Sequence, residues 1–170
     1  KKPGDLLYLL GKTQPELGGS EYYLLKGFLG SSMPKVDAVE ARKNFTCLTE
    51  AMDQSLVRAC HDLSEGGLAV AASEMALSGG LGIEVDLDAV NTPTPLRDDF
   101  LLFSESNSRF LIEVSPEKSR VFEDLMLGTA LSKVGMVMNV QRLRVKGVGG
   151  RLIVDAVLSD LLEAWKGTLR

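Results

Sequence analysis

The chain has 170 residues, of which 45% are hydrophobic and 25% charged, with a formal net charge of -4. These proportions exclude a disordered polymer and supply enough apolar material for one buried core. The acidic balance leaves no basic footprint for a nucleic-acid partner, and no apolar run reaches the roughly 20 residues of a membrane span.

The opening KKPGDLLYLLG lacks the charged, apolar and cleavage regions of a secretory signal, so the expected setting is cytoplasmic. Cys47 and Cys60 are widely spaced in apolar surroundings, which reads as two buried reduced thiols rather than a disulfide or a metal pair.

In chain order, Asp5 to Gly11 is a short apolar run closed by glycine and predicts a buried strand. Gly18 and Gly19 free the backbone before Ser20, which is placed to cap a short helix through Leu25. Asp37, with Glu40 three residues on, marks the start of a helix whose stripe is Ala38, Ala41, Phe45, Leu48 and Met52, with Arg42, Lys43 and Asn44 on other faces. Leu56 to Cys60 predicts a strand delivering His61 to its end. Leu68 to Leu77 predicts a helix apolar nearly all round, and therefore buried.

Gly82 to Leu87 alternates as a strand, and Asn91 to Pro95 is a loop. Phe100 to Phe103 leads through Ser104 to Ser108 into the strand Arg109 to Val114, so the intervening segment is expected to be a turn between strands. Ser115-Pro116 opens a helix with the stripe Val121, Phe122, Leu125 and Met126. Strands are expected at Leu131 to Met138, Val140 to Val145 and Arg151 to Val154, then a closing helix from Val157 to Gly167. Helices and strands alternate without a regular period, which predicts an α+β fold: one layered α/β domain over residues 1–170 with a mixed sheet.

Two turns carry the candidate chemistry. In Asp62-Leu63-Ser64-Glu65-Gly66-Gly67 a glycine pair meets a helix start, where unpaired N–H groups attract phosphate and where Asp62 or Glu65 suits Mg²⁺. The competing reading is a cap from Ser64 or Glu65, with glycines that permit close packing. Ser104-Glu105-Ser106 with Arg109 gathers hydroxyls, an acid and a guanidinium suited to ribose or phosphate, or else a solvated hairpin in which Glu105 and Arg109 pair. His61 has no second histidine and no paired nucleophile, so it reads as a positioning group rather than a catalytic base. Gly18, Gly19, Ser20 and Glu21 form either a ligand loop or a flexible start to the first helix.

LGGSEYY at 17–23, PKVDAVEARKN at 34–44, HDLSEGGLAVAASEMA at 61–76, LLFSESNSRFLIEV at 101–114 and LLEAWKG at 161–167 resemble the last domain of the phosphoribosylformylglycinamidine synthase subunit II family, within the aminoimidazole ribonucleotide synthetase superfamily. The resemblance spans nearly the whole chain. It implies a C-terminal superfamily domain from a longer chain, acting beside N-terminal ATP-binding domains of that chain. A glutaminase subunit and a small bridging subunit would be its further partners.

The implied reaction is the ATP- and glutamine-dependent conversion of formylglycinamide ribonucleotide to the amidine, a step of purine synthesis. ATP and Mg²⁺ would be bound mainly by domains outside this chain, so the resemblance implies no catalytic residue here and an inactive isolated domain. It also implies nucleotide or substrate contacts at His61, Asp62, Ser64, Glu65, Gly66, Gly67, Ser104, Glu105, Ser106 and Arg109, with Gly18, Gly19 and Ser20. A stand-alone nucleotide-binding or regulatory module is an alternative. So is a domain of a thiamine monophosphate kinase, selenophosphate synthase or hydrogenase maturation factor.

Overall fold

The structure, a computed structural model, describes residues 1–167. Seven strands form one sheet: β1 (Leu6–Leu10), β2 (Val57–Asp62), β3 (Gly82–Asp86), β4 (Phe110–Val114), β5 (Leu131–Met138), β6 (Arg142–Lys146) and β7 (Leu152–Val157). Their spatial order is β2-β4-β1-β5-β3-β6-β7. Neighbours run antiparallel except β3 and β6, which are parallel, so the expected mixed sheet is present. The helices are α1 (Glu21–Leu25), α2 (Ala38–Asp53), α3 (Gly67–Gly79), α4 (Asp98–Phe103), α5 (Ser119–Leu125) and α6 (Leu158–Gly167).

The unbroken apolar text of β1 follows from its place inside the sheet with helices on both faces. Successive strand side chains point to opposite sides, so Leu7 and Leu9 enter a core covered by α3, α4 and the start of α6, while Tyr8 and Leu10 enter a second core under α2 and α5. The Tyr8 hydroxyl donates to Glu123 at 2.6 Å, which satisfies the one polar atom on that strand's side chains. In α3, Leu68, Ala71, Ala72, Met75 and Ala76 are all buried, as a helix with almost no polar face requires.

Several expectations shift. Phe100 to Phe103 is helical rather than the first arm of a strand pair, because Asp98 and Asp99 favour a helix N-terminus and Leu101 and Leu102 bury against α3. The segment from Ser104 to Arg109 is therefore a helix-to-strand loop. Asp37 caps α2 through the amides of Val39 and Glu40, but Glu40 extends outward to Lys12 instead of closing a capping box. The buried face of α2 is Ala41, Asn44, Leu48 and Ala51, while Phe45 and Met52 are partly exposed. The helix is rotated by about one residue from the predicted stripe, and Phe45 instead packs edge-on against Phe110 at the rim.

Both cysteines are free, and both are half-buried where full burial was expected. Burial, with a smaller contribution from the Asp62 charge, pushes the Cys60 thiol up to about 12, so it stays protonated and inert at neutral pH.

The rotated helix face separates two substitutions. Leu48→Ala should cost about 2–4 kcal/mol in urea unfolding, as a deletion under full burial, and Phe45→Ala only about 1 kcal/mol, the worth of a rim aromatic pair. Equal losses would restore the sequence-derived stripe.

Candidate functional site

The site region lies at one end of β1 and β4, where three segments meet. Beyond Leu10 the chain continues through Thr13 and Gln14 beside the loop that precedes β4. The Gln14 amide donates to Ser106 Oγ at 3.0 Å, and the Glu105 amide donates to the Glu16 carbonyl at 3.2 Å. Arg109 is only 1% exposed. Its guanidinium donates to the Ser106 carbonyl at 2.9 Å, to Thr13 Oγ1 at 3.0 Å and to the Ser104 carbonyl.

Burial pushes this guanidinium down to about 10, against the opposing pull of Glu16 and Glu105, so it remains charged at neutral pH. The solvated hairpin, one of the two readings of this segment, is thus replaced by a buried cationic fork that ties the loop to the β1 exit. An Arg presents several donors in one rigid plane, which suits such a multi-carbonyl tie.

The third segment, the turn before α3, hangs on the same loop. The Leu63 amide donates to the Arg109 carbonyl at 3.0 Å, and the Gly66 amide donates to Glu105 Oε1 at 2.9 Å. Gly66 is the N-cap, left-handed at φ 76°, with no side-chain cap from Ser64 or Glu65. Gly67, at φ 59°, is also left-handed, and a Cβ there would stand 2.5 Å from the Ser104 carbonyl oxygen and 2.8 Å from that of Leu102. The glycine pair is therefore set by backbone geometry and close helix-to-loop approach.

The two glycine amides expected to lie open at this corner are in use. Glu105 occupies the Gly66 amide, the Gly67 amide bonds to the Ser64 carbonyl at 3.1 Å, and both glycines are buried. The chain's own carboxylate sits where an external anion was anticipated, an arrangement the helix dipole favours.

An open cavity of about 390 Å³ remains beside this corner, with Asp62, Ser64, Glu105, Asn107 and Phe45 in its walls. Asp62, Ser64 and Glu65 are exposed. Ser106 turns inward to Gln14, and Ser104 is fully buried with an unpartnered hydroxyl. His61 faces α3: its Nε2 lies 3.0 Å from Glu74 Oε2 and its Nδ1 lies 2.7 Å from the Asp62 carbonyl, which makes it a tie between β2 and α3.

Gly18, Gly19 and Ser20 lie apart from this cavity. The Gly18 amide bonds to the Ser32 carbonyl at 2.8 Å and the Gly19 amide to that of Leu29 at 2.8 Å. Ser20 is the N-cap of α1 and accepts from the Tyr23 amide at 3.2 Å. These three residues pin the excursion between α1 and α2.

The structure adds Thr13, Glu16 and Asn44, which sequence reasoning did not single out. For Thr13 and Glu16 the available signal was a polar side chain just past an all-apolar strand, whereas Asn44 lies outside the predicted stripe and its burial was not marked by spacing. Among the described residues no group of three or more His, Cys, Asp or Glu is arranged to hold a metal ion.

The close approach at the corner gives a sharp contrast. Gly67→Ala should destabilise the chain by about 2–4 kcal/mol in urea unfolding, because both the left-handed φ and the Ser104 carbonyl oppose a Cβ. Ser64→Ala should change stability by less than about 0.5 kcal/mol, since Ser64 caps nothing. A costly Ser64→Ala with a tolerated Gly67→Ala would reverse the assignment of roles in this turn.

The family model described as AIR synthase related protein, C-terminal domain, matches residues 2–148. The phosphoribosylformylglycinamidine synthase subunit PurL of Moorella thermoacetica is 38% identical over 175 residues, covering 99% of this chain. The match takes in 22% of that relative's length, so the chain spans under a quarter of it. A structure of Thermotoga maritima PurL complexed with FGAR superposes with a TM-score of 0.81 at 24% identity, covering 95% of this chain and 28% of that one.

The same Thermotoga protein complexed with ATP gives a TM-score of 0.75 at 23% identity over 94% of this chain and 26% of that one. In the PurLQS structure the TM-score is 0.79, at 23% identity over 93% and 26%. Escherichia coli HypE, a hydrogenase maturation protein, follows at 0.65 and 19% identity, covering 92% of this chain and 49% of that one. With a family model matched over most of its length and the layered mixed sheet of these structures, the chain belongs to the AIR synthase related protein C-terminal domain family.

Proposed function

We propose that this chain is the C-terminal domain of a phosphoribosylformylglycinamidine synthase, the ATP- and glutamine-dependent ligase that converts formylglycinamide ribonucleotide to its amidine. The observation that carries the reading is the 38% identity to a curated subunit over 99% of this chain. The likeness to HypE is weaker, at a TM-score of 0.65, which ranks a hydrogenase maturation role below the synthase. A stand-alone nucleotide module ranks below it too, since the matched relative is several times longer than this chain.

On this reading the domain supplies a wall to a cleft completed by other domains of a longer chain. Asp62, Ser64, Glu65 and Glu105, at or beside the open cavity, are its contact groups for nucleotide or substrate. Arg109, Ser104, Ser106, Gly66 and Gly67 act beneath them by fixing their positions, while His61, Gly18, Gly19 and Ser20 hold the flanking elements.

The exposed apolar residues Leu24, Leu25, Phe28, Leu29, Val36 and Val39, all within residues 24–39, support a neighbouring domain against that segment, since exposed apolar surface marks an interaction site. A glutaminase docked with a small bridging subunit would supply ammonia, in line with the PurLQS assembly of the Thermotoga relative. The ATP-complexed relative supports ATP as the nucleotide.

The described residues form no protein cage for magnesium by themselves. Glu105 is committed to the Gly66 amide, and no set of three acidic or other metal-ligating side chains converges among the described residues. Mg²⁺ would therefore be held mainly by the ATP-binding domains, and no catalytic group is assigned to this chain. Its isolated form should neither hydrolyse ATP nor form amidine.

Domain replacement tests the reading. Moorella PurL carrying this chain in place of its matching segment should retain ATP-dependent amidine formation with its partner subunits. The chain alone should show no turnover and bind Mg·ATP only at about millimolar affinity, roughly 4 kcal/mol. A folded but inactive chimera, or turnover by the isolated chain, would contradict the assignment.

A further inference from the structure

From Glu21 to Glu40 no residue is buried, although Tyr22, Tyr23, Leu24, Leu25, Phe28 and Leu29 fall within one stretch of it. Leu25 is 82% and Leu29 80% exposed. A single exposed leucine needs no explanation, but a run of large apolar side chains in water does.

The segment is nonetheless closed on itself. At its base the Gly18 amide donates to the Ser32 carbonyl and the Gly19 amide to the Leu29 carbonyl, both at 2.8 Å, while Ser32 Oγ donates to the Pro15 carbonyl at 2.8 Å. Inside it the Phe28 amide returns to the Tyr23 carbonyl at 2.8 Å, and a Cβ on Gly30 would stand 2.7 Å from the Tyr23 ring. It is a compact arm with joined ends, which holds its apolar side chains in place.

Between this arm and the start of α4 lies an open cavity of about 400 Å³. Tyr22, in its lining, stacks parallel on Phe103 with ring centroids 4.6 Å apart, and its hydroxyl donates to Asp99 at 3.3 Å. Phe28 and Leu29 add apolar wall. The charged groups of the lining are Lys26, Arg97 and Asp99. Asp99 is spent on Arg97, which donates to its two oxygens at 3.1 and 2.8 Å. Lys26 lies 5.8 Å from the Tyr22 ring centroid and forms no ion pair among the described residues. One positive charge is left beside an aromatic surface.

The surface that complements it carries an apolar side chain next to a carboxylate. A small anion would pair with Lys26 but leave the run of exposed leucines in water, whereas a protein face covers both. Such a face is available: the segment matched in the Moorella relative is 22% of its length, so more than three-quarters of that protein lies outside it.

We propose that the cavity between the arm and α4 is the docking seat for another domain of the longer chain, which inserts an apolar side chain flanked by an Asp or Glu that pairs with Lys26. This rests on the reading of the chain as a synthase domain, and adds the seat and the chemistry of the contact. Through Tyr22 and Phe103 the docked domain bears on α4, and the residue after Phe103 is Ser104, whose carbonyl Arg109 holds. The neighbour thereby braces the loop that carries Glu105.

Hydrogen exchange at Leu24 to Gly30 in the Moorella PurL chimera, compared with the same amides in this chain alone, tests the proposal. Exchange should be slower in the chimera by about tenfold or more. Lys26→Glu and Leu29→Asp should each restore fast exchange there, and Lys26→Arg should keep the protection. Both side chains are exposed, so in the isolated chain each variant should change the unfolding constant by less than about threefold, which separates a lost contact from a damaged domain. Because the readout is protection rather than turnover, an inactive chimera with a protected arm counts against the synthase reading alone. Equal exchange in the chimera and the isolated chain, protection that survives both Lys26→Glu and Leu29→Asp, or protection that the isolated chain gains by self-association as its concentration rises, would overturn the docking proposal.

Discussion

The buried charge of Arg109 is the constraint on which the functional end of this domain depends. Removing a guanidinium from water is costly unless its donors and charge are compensated. Here compensation comes from Thr13 and the carbonyls of Ser104 and Ser106, with Glu16 and Glu105 in its field. Those groups belong to different parts of the chain. Satisfying one side chain thus fixes the β1 exit against the loop before β4, and Glu105, held in that loop, then takes the Gly66 amide and fixes the start of α3. A hydrophobic residue at 109 could fill the space but could not set the positions of the two loop carbonyls.

The two cores on either side of the sheet give this arrangement its rigid base. β4 enters from the Arg109 loop and lies between β1 and β2, with Leu111 in one core and Ile112 in the other. Loops can then carry function on a frame that does not move with them. Most of the polar groups named at the outset serve this framing, and a smaller set reaches solvent. Asp62 and Ser64 are exposed at the cavity, whereas Ser106 and Arg109 are spent internally.

Much of the frame was legible in the sequence because it follows from periodicity and capping. The apolar run of β1, the nearly all-apolar α3, the Ser20 cap and the alternation of β4 each have one reading under those rules. The misreadings have physical causes. Phe100 to Phe103 is an apolar run of four, too short to separate helix from strand by pattern, and its two preceding aspartates were the neglected signal. Asn44 lies on the buried face of α2 with its amide donating to the Ser108 carbonyl, which hydropathy alone cannot register. Arg109 was read as either a ligand contact or half of a solvated pair, both surface roles of the kind arginine usually has, and only tertiary structure reveals the carbonyls converging on it. The glycine pair at 66 and 67 was ambiguous between anion cradle and close packing, since both demand the same absent side chain.

Amide hydrogen exchange in Arg109→Lys tests the central role of the buried fork most directly, because lysine keeps the charge and loses the planar set of donors. If Arg109 joins the three segments, exchange should quicken together at Gln14, Glu105 and Gly66, whose amides bond across them, while the β1 and β4 amides stay protected. Faster exchange confined to Glu105 and its immediate neighbours, with Gln14 and Gly66 unchanged, would contradict it.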